Sequence, residues 1–408
     1  MDATERMLTG LTGMLAEGHL AGFDQLPELV ARHGATAGLA DVRIYLTDLR
    51  QQVLREVTGR GPDAAQGGEV FSVEGTLPGR VFASSRAQQG SDGIRGHWWV
   101  PLLDGTERLG VLRAEPPPGA GPGPVEAVAS LVGMLVVSKR PSSDAAARLV
   151  RTEAMNVAAE MQWNLMPPLS FANRDVAIAA AMEPAYEIGG DAFDYAVAGD
   201  QVHLAVFDAM GHDSYAGLTA NLAVAACRNQ RRQGADLIST GERVEQVLVD
   251  HFGHDTYVTA VLAGLDTATG LLSWINRGHQ PPVLIRGGRW ATALSCPPAH
   301  PLGTELGLTA RQCREQLEPG DRILLYTDGI IEAHDAHGRE FGLNRFTDFV
   351  IRRHADGLPV PETLRRLMHA VLEHHGGRLD DDATVLCVEW RGPSRNPALR
   401  PTGRPDAP

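Results

Sequence analysis

The chain is short of cysteine, short of basic charge and without a long apolar run. Its 408 residues hold four cysteines, Cys227, Cys296, Cys313 and Cys387. No two of them stand in a Cys-x-x-Cys spacing, so neither a zinc knuckle nor a redox dithiol is indicated, and reduced thiols are expected. Lys and Arg number 37 against 50 Asp and Glu, a formal net charge of −13. That balance leaves no broad basic footprint for sequence-independent nucleic-acid binding. The most apolar stretch, Ala127–Val137, is interrupted by Ser130 and Gly133, whereas a membrane-spanning helix requires about 20 apolar residues. The opening residues, Met1-Asp2-Ala3-Thr4-Glu5-Arg6, lack the basic-then-apolar order of a secretory signal. The expectation is a cytoplasmic protein with no membrane and no nucleic-acid partner.

What is present is globular in composition, with 43% hydrophobic and 21% charged residues. The length admits two or three domains, and composition shifts suggest where they divide. A Pro/Gly insert runs from Glu115 to Pro124, and Pro141-Ser142-Ser143-Asp144 reads as a hinge opening a helix. Residues 1–140 read as a mixed α/β domain. Val42–Leu46 alternates like a strand, His97–Leu102 and Leu109–Arg113 flank a turn at Asp104-Gly105, and helices at Asp24–His33 and Pro124–Ser138 cover the sheet. Residues 141–168 read as a helical linker, with one helix over Asp144–Met166 carrying a stripe of Val150, Ala154, Val157 and Met161. The stripe fits a two-helix seam, and hence a homodimer, or an ordinary helix packed on its own domain.

Residues 169–391 are rich in strands: Val202–Phe207, Val258–Leu265, Leu271–Ile275, Pro282–Arg286, Arg322–Tyr326 and Thr384–Trp390. Helices are expected at Tyr215–Arg232, Glu242–Phe252 and Glu362–His375, the middle one opened by a capping box of Ser239 and Glu242. Strand runs interrupted by helices, without strict alternation, give an α+β class. The Arg/Pro-rich tail, 392–408, cannot bury a core and reads as disordered.

Aspartates gather at the predicted strand edges. Asp208 ends Val202–Phe207, Asp328 follows Arg322–Tyr326, Asp381 and Asp382 precede Thr384, and Asp191 follows Gly189-Gly190. Strand ends of one sheet converge, so residues distant in sequence can share a site. Converged carboxylates repel unless cations neutralise them, and all-oxygen ligands select Mg²⁺ or Mn²⁺. Two such ions about 4 Å apart would share a carboxylate and acidify a water for in-line attack on phosphorus. Taken singly, an Asp-Gly pair is a turn more often than a ligand, and Asp104-Gly105 and Asp356-Gly357 read as turns.

The motifs, in order, are Glu187-Ile188-Gly189-Gly190-Asp191, Asp208-Ala209-Met210-Gly211-His212, Asn276-Arg277-Gly278-His279-Gln280-Pro281-Pro282, Tyr326-Thr327-Asp328-Gly329-Ile330-Ile331-Glu332-Ala333 and Asp381-Asp382-Ala383-Thr384. The set resembles the SpoIIE/RsbU branch of the metal-dependent protein serine/threonine phosphatases, the PPM family. The resemblance covers about Glu160 to Trp390 and includes Met161-Gln162-Trp163-Asn164-Leu165-Met166-Pro167-Pro168 upstream. It implies an αββα sandwich with a two-ion centre of Mn²⁺ or Mg²⁺. By position, Asp208 bridges both ions, Asp328 and Asp381 hold one, Asp191 serves the other, and the Ala209 carbonyl is a further ligand. Asp382 is the weaker counterpart of Asp381. Asn276, His279, His212 and Glu332 are expected to support the site, although His212 could also donate a proton. His369, His374 and His375 read as solvated. Asp213, where the family often has a glycine, adds a carboxylate beside the site.

The resemblance further implies a phosphoserine/phosphothreonine phosphatase whose substrate is a phosphorylated anti-sigma-factor antagonist of the STAS fold. Residues 24–140 resemble a GAF-type sensory domain through Ala37–Leu46, Glu74–Gly79 and Trp99–Leu112, without a His/Cys set for haem. Two rivals stand beside this reading: a catalytically silent module that binds a phosphoprotein, and a hydrolase of small phosphoesters.

Overall fold

Alternating apolar residues and glycine or proline breakers shape the elements in a computed structural model, which describes residues 2–91, 96–187, 189–211, 213–377 and 379–393. The chain divides into two units, Met1–Asn156 and Val157–Pro408. The first contains α1 (Ala3–Gly18), α2 (Leu26–Thr36), β1 (Ala40–Thr47), β2 (Val53–Val57), β3 (Val70–Ser72), α3 (Leu77–Ser84), β4 (Gln88–Ser91), β5 (Gly96–Asp104), β6 (Glu107–Glu115), α4 (Gly123–Lys139) and α5 (Asp144–Val150). Its strands form one antiparallel sheet ordered β3-β2-β1-β6-β5-β4. The two-residue period sends Ile44, Leu46, Leu112 and Ala114 to the face covered by Leu26 and Val30 of α2 and Val128 and Val132 of α4. Tyr45, Leu54, Trp99 and Val111 take the other face, with Val81 and Phe82 of α3. β6 crosses β1 so closely at Gly110 that a Cβ there would lie 1.9 Å from the Tyr45 carbonyl oxygen.

The single helix expected over Asp144–Met166 is divided. α5 ends at Val150, and the next helix, α6, spans Val157–Leu165. No glycine or proline separates them; the cause is tertiary. Arg55 donates to the Leu149 carbonyl at 2.7 Å, and the Leu49 N–H donates to the Val150 carbonyl at 3.1 Å. The last carbonyls of α5 thereby find partners outside the helix. Ala146 and Leu149 join the core of the first unit. The stripe from Val150 to Met161 is therefore not one face of one helix, and the two-helix seam loses its basis.

The second unit runs α6, β7 (Ser170–Ala172), β8 (Val176–Glu183), β9 (Asp191–Ala198), β10 (Gln201–Ala209), α7 (Ser214–Arg232), α8 (Leu237–Phe252), β11 (Val258–Asp266), β12 (Leu271–Arg277), β13 (Val283–Arg286), β14 (Trp290–Ala293), β15 (Cys313–Gln316), β16 (Arg322–Tyr326), α9 (Asp328–Ile331), α10 (Leu343–Ala355), α11 (Val360–His374) and β17 (Ala383–Trp390). It has two sheets, ordered β15-β12-β11-β10-β9 and β14-β13-β16-β17-β8-β7. Phe207, Ala260 and Leu262 of the first pack on Ala220 and Val224 of α7 and Val244 and Leu248 of α8. Leu324, Val385 and Cys387 of the second pack on Phe346 and Val350 of α10 and Leu364 and Leu367 of α11. The alternate positions, among them Val206, Val261, Leu325 and Leu386, are buried between the sheets. The result is an αββα sandwich.

Further details depart from the sequence reading. α8 begins earlier than expected, because Asp236 accepts from the Ser239 N–H at 2.8 Å and caps it, so Ser239 lies inside the helix. Cys296 and Cys313 form a disulfide, their Cα atoms 5.8 Å apart, which corrects the expectation of uniformly reduced thiols. β14 and β15 are the edge strands of the two sheets, and the bridge joins β15 to the segment that follows β14. Cys227 and Cys387 remain buried thiols. His374 and His375 are engaged rather than solvated: His374 Nε2 donates to the Arg339 carbonyl at 2.9 Å, and His375 Nδ1 accepts from the His334 N–H at 3.1 Å. No helix among the described residues is long and apolar enough to cross a membrane. His212 and the tail from residue 394 lie outside the described residues.

Candidate metal centre

Three adjacent strands set up one side of the site. In the β9–β10 pair Asp191 stands opposite Asp208, and in the β10–β11 pair Asp208 stands opposite Thr259. Directly opposed residues share a face of the sheet. Their chain neighbours Ala192, Phe207, Ala209 and Ala260 pack with the α7/α8 layer, so Asp191, Asp208 and Thr259 point toward the second sheet. From that sheet, β16 ends at Tyr326 and passes through Thr327 into α9, which starts at Asp328. β17 pairs Val385 with Tyr326 and begins directly after Asp381 and Asp382. At Gly329 a Cβ would lie 2.0 Å from the Asp382 carbonyl oxygen, so a residue without a side chain lets α9 rest against the start of β17. Ala209, the expected backbone ligand, ends β10, and its N–H donates to the Gly190 carbonyl at 3.0 Å.

The electrostatics of these groups are linked. Burial, then the charges of Asp328 and Asp381, push Asp208 up to about 7. Asp191 is 2% exposed; burial and the charges of Asp208 and Asp382 raise it well above the ordinary carboxylate range. Burial and Asp381 raise Asp328. Glu332 is raised by burial and by Asp328. The leading charges on all three aspartates are other carboxylates. Among the described residues, no three His, Cys, Asp or Glu side chains stand close enough together to grip an ion as placed. The donor set nevertheless suits hard divalent cations: it consists of oxygens, is buried at Asp191 and half-buried at Asp208 and Asp328, and is crowded with like charge that only positive charge would relieve.

Around the aspartates stands a frame that sequence reasoning mostly missed. Asp382 Oδ2 accepts from the N–H groups of Gly189, Gly190 and Asp191 at 2.9, 2.7 and 3.3 Å. It is buried and holds the Gly-Gly-Asp segment, whereas Asp381 is exposed. Thr327 Oγ1 donates to Asp191 Oδ2 at 2.6 Å and accepts from the Thr384 N–H at 2.9 Å. Gln162 of α6, wholly buried, donates to the carbonyls of Gly189 and Asp191 at 3.1 and 2.6 Å. The signal for Thr327 and Gln162 was their place inside motifs; nothing in their spacing marked them. Asn276 closes its turn by exchanging two 2.8 Å hydrogen bonds with the backbone of His279. Asp213 accepts from the N–H groups of Tyr215 and Ala216 at 3.0 Å and caps α7. Its carboxylate is committed to the helix.

Residues 198–391 match the family model for stage II sporulation protein E (SpoIIE). The second unit thus carries a SpoIIE-type domain. The matched span takes in Asp208, Asp328 and Asp381 of this SpoIIE-type unit, and Asp191 precedes it. Phosphoserine phosphatase RsbP of Bacillus subtilis is 24% identical over 184 residues, 44% of this chain and 45% of RsbP. The match thus spans less than half the length of that relative. The RsbU and RsbW domains of Rv1364c from Mycobacterium tuberculosis are 28% identical, over 55% of this chain and 63% of that one, with a TM-score of 0.49. The catalytic domain of the serine/threonine phosphatase PstP, in complex with 2 manganese ions, is 18% identical over 53% of this chain and 98% of its own, with a TM-score of 0.40.

Proposed function

We propose that the protein is a metal-dependent phosphoprotein phosphatase that hydrolyses phosphoserine or phosphothreonine monoesters. The observation that carries this reading is the set of mutually repelling carboxylates supplied by both sheets, Asp191 and Asp208 from one and Asp328 and Asp381 from the other. Asp208 would bridge a pair of Mn²⁺ or Mg²⁺ ions. Asp328 and Asp381 would hold one ion and Asp191 the other, with the Ala209 carbonyl as a backbone ligand. When bound, such a pair supplies an acidified water as nucleophile. The chain's own part is orientation. Asp382 and Gln162 hold the backbone that carries Asp191, Thr327 fixes the Asp191 carboxylate, and Gly329 lets Asp328 lie beside Asp381.

The substrate in this reading is a phosphorylated STAS-type anti-sigma-factor antagonist, which the likeness to RsbP and to an RsbU/RsbW domain pair supports. Residues 1–140 act as a GAF-like sensory domain that regulates the phosphatase domain, residues 169–391. The protein works in the cytoplasm, and recovery of the full chain outside the cell membrane on fractionation would speak against that location.

The test is turnover of p-nitrophenyl phosphate and of a phosphoserine peptide by the full chain with Mn²⁺, with EDTA and after Asp208→Ala. Mn²⁺-dependent release of phosphate from the peptide, lost in EDTA and in the variant, is expected. Turnover of the small ester alone would point to a small-phosphoester hydrolase. No turnover of either would point to a silent binding module.

A further inference from the structure

The carboxylates come from two sheets, and Asp208 and Asp328 repel each other across the gap. His279 spans that gap. Its backbone is locked by Asn276 and its side chain is buried. Nε2 lies 3.0 Å from the carbonyl oxygen of Tyr326, two residues before Asp328 on the second sheet. Nδ1 lies 2.7 Å from Oγ1 of Thr259 on the first sheet. A carbonyl only accepts, so Nε2 carries the hydrogen, and in the neutral ring Nδ1 then offers a lone pair. Burial favours that neutral form. Nδ1 must receive the hydroxyl hydrogen of Thr259, and a hydroxyl has one hydrogen to give. Thr259 Oγ1 also lies 3.4 Å from Asp208 Oδ2, so the same hydroxyl stands between the imidazole and that carboxylate.

We infer that His279 and Thr259 are positioning residues of the carboxylate centre. The imidazole is a crosspiece that ties the strand opposite Asp208 to the strand leading into Asp328. The inference rests on the two-cation reading, and it assigns His279 no contact with substrate.

Mn²⁺ affinity, measured by calorimetric titration on the full chain, tests it. Thr259→Val keeps the volume and removes the hydroxyl, and His279→Gln keeps a donor for Tyr326 while giving up the ring's second contact. Each is expected to weaken Mn²⁺ binding by about 10-fold to 100-fold, the usual range for groups that orient ligands. Thr259→Ser is expected to restore binding. Unfolding midpoints in EDTA provide the control: a purely structural role would lower the midpoint of Thr259→Val and leave its affinity unchanged. Equal Mn²⁺ affinity of the wild type and a folded Thr259→Val would overturn the positioning role while leaving the metal reading intact. A wild type that binds no Mn²⁺, like an Asp208→Ala control, would overturn both.

Discussion

Asp208 is pressed from several directions: burial and the charges of Asp328 and Asp381 all disfavour its ionised form. Removing it has two opposite consequences. Asp208→Ala and Asp328→Ala are each expected to abolish Mn²⁺-dependent turnover of a phosphopeptide, because the cation pair loses a ligand. In EDTA the same variants are expected to unfold at a midpoint equal to or above that of the wild type, since a repelling charge is gone. Phosphate release and thermal unfolding check the two halves separately. The pH dependence has a definite sign. Between the ordinary value of 3.8 and about 7 the folded metal-free chain holds a proton on Asp208 that the unfolded chain has released, so this group's contribution is lost as pH rises through that window. His279 runs the other way. Burial lowers it from 6.5 to about 4, so its contribution is lost as pH falls through that range. Mn²⁺ must displace the Asp208 proton, so scanning calorimetry is expected to show a larger Mn²⁺-induced rise in unfolding temperature at pH 8 than at pH 5. An equal rise at both would contradict the assignment. At this scale the sequence singled out Asp191, Asp208, Asp328 and Asp381 because each stands at a strand edge, and the family resemblance assigned their roles. It could not separate the tasks of Asp381 and Asp382, which are adjacent and chemically identical; the difference lies in burial and in the N–H groups that only the folded Gly189–Asp191 segment presents.

Elements meet at the site through close backbone approach, and Gly329 is where this matters most. A methyl group there would collide with the Asp382 carbonyl, so Gly329→Ala is expected to push α9 off the start of β17 and to cost about 1–3 kcal/mol of stability, the usual range for overpacking. Because α9 opens with Asp328, Mn²⁺ affinity should fall as well. Urea unfolding and calorimetric titration measure the two effects, and unchanged affinity would mean that Asp328 does not depend on this contact. Most strands and helices were legible from period and punctuation: Pro361 opens α11, and the turn after Asp266 closes where Gly270 allows it. The division between α5 and α6 was not legible. Residues 151–156 contain no breaker, and the helix stops because Arg55 and Leu49, about a hundred residues earlier, claim its last carbonyls. The Cys296–Cys313 bridge was equally hidden, for a 17-residue separation without a motif says nothing until two sheet edges come together.

On the scale of the whole chain, the cores are separate. Among the described residues, the cores of the first unit contain none beyond Val150, and the two helix-on-sheet cores of the second contain none before Val157. Each unit therefore has what a folding domain needs. Residues 157–393 alone are expected to unfold cooperatively and to keep Mn²⁺-dependent turnover, with calorimetry of the full chain showing two transitions. A fragment that is folded but inactive would show that the first unit completes the site. The αββα order was legible through the ordered motifs, while the place of the boundary was not, because it falls inside an uninterrupted helical pattern. The central claim is that Asp191, Asp208, Asp328 and Asp381 hold a pair of divalent cations. Anomalous scattering at the manganese edge, from crystals of the full chain grown with Mn²⁺, tests it most directly. Two peaks enclosed by those four carboxylates are predicted; a map with no peak among them would contradict it.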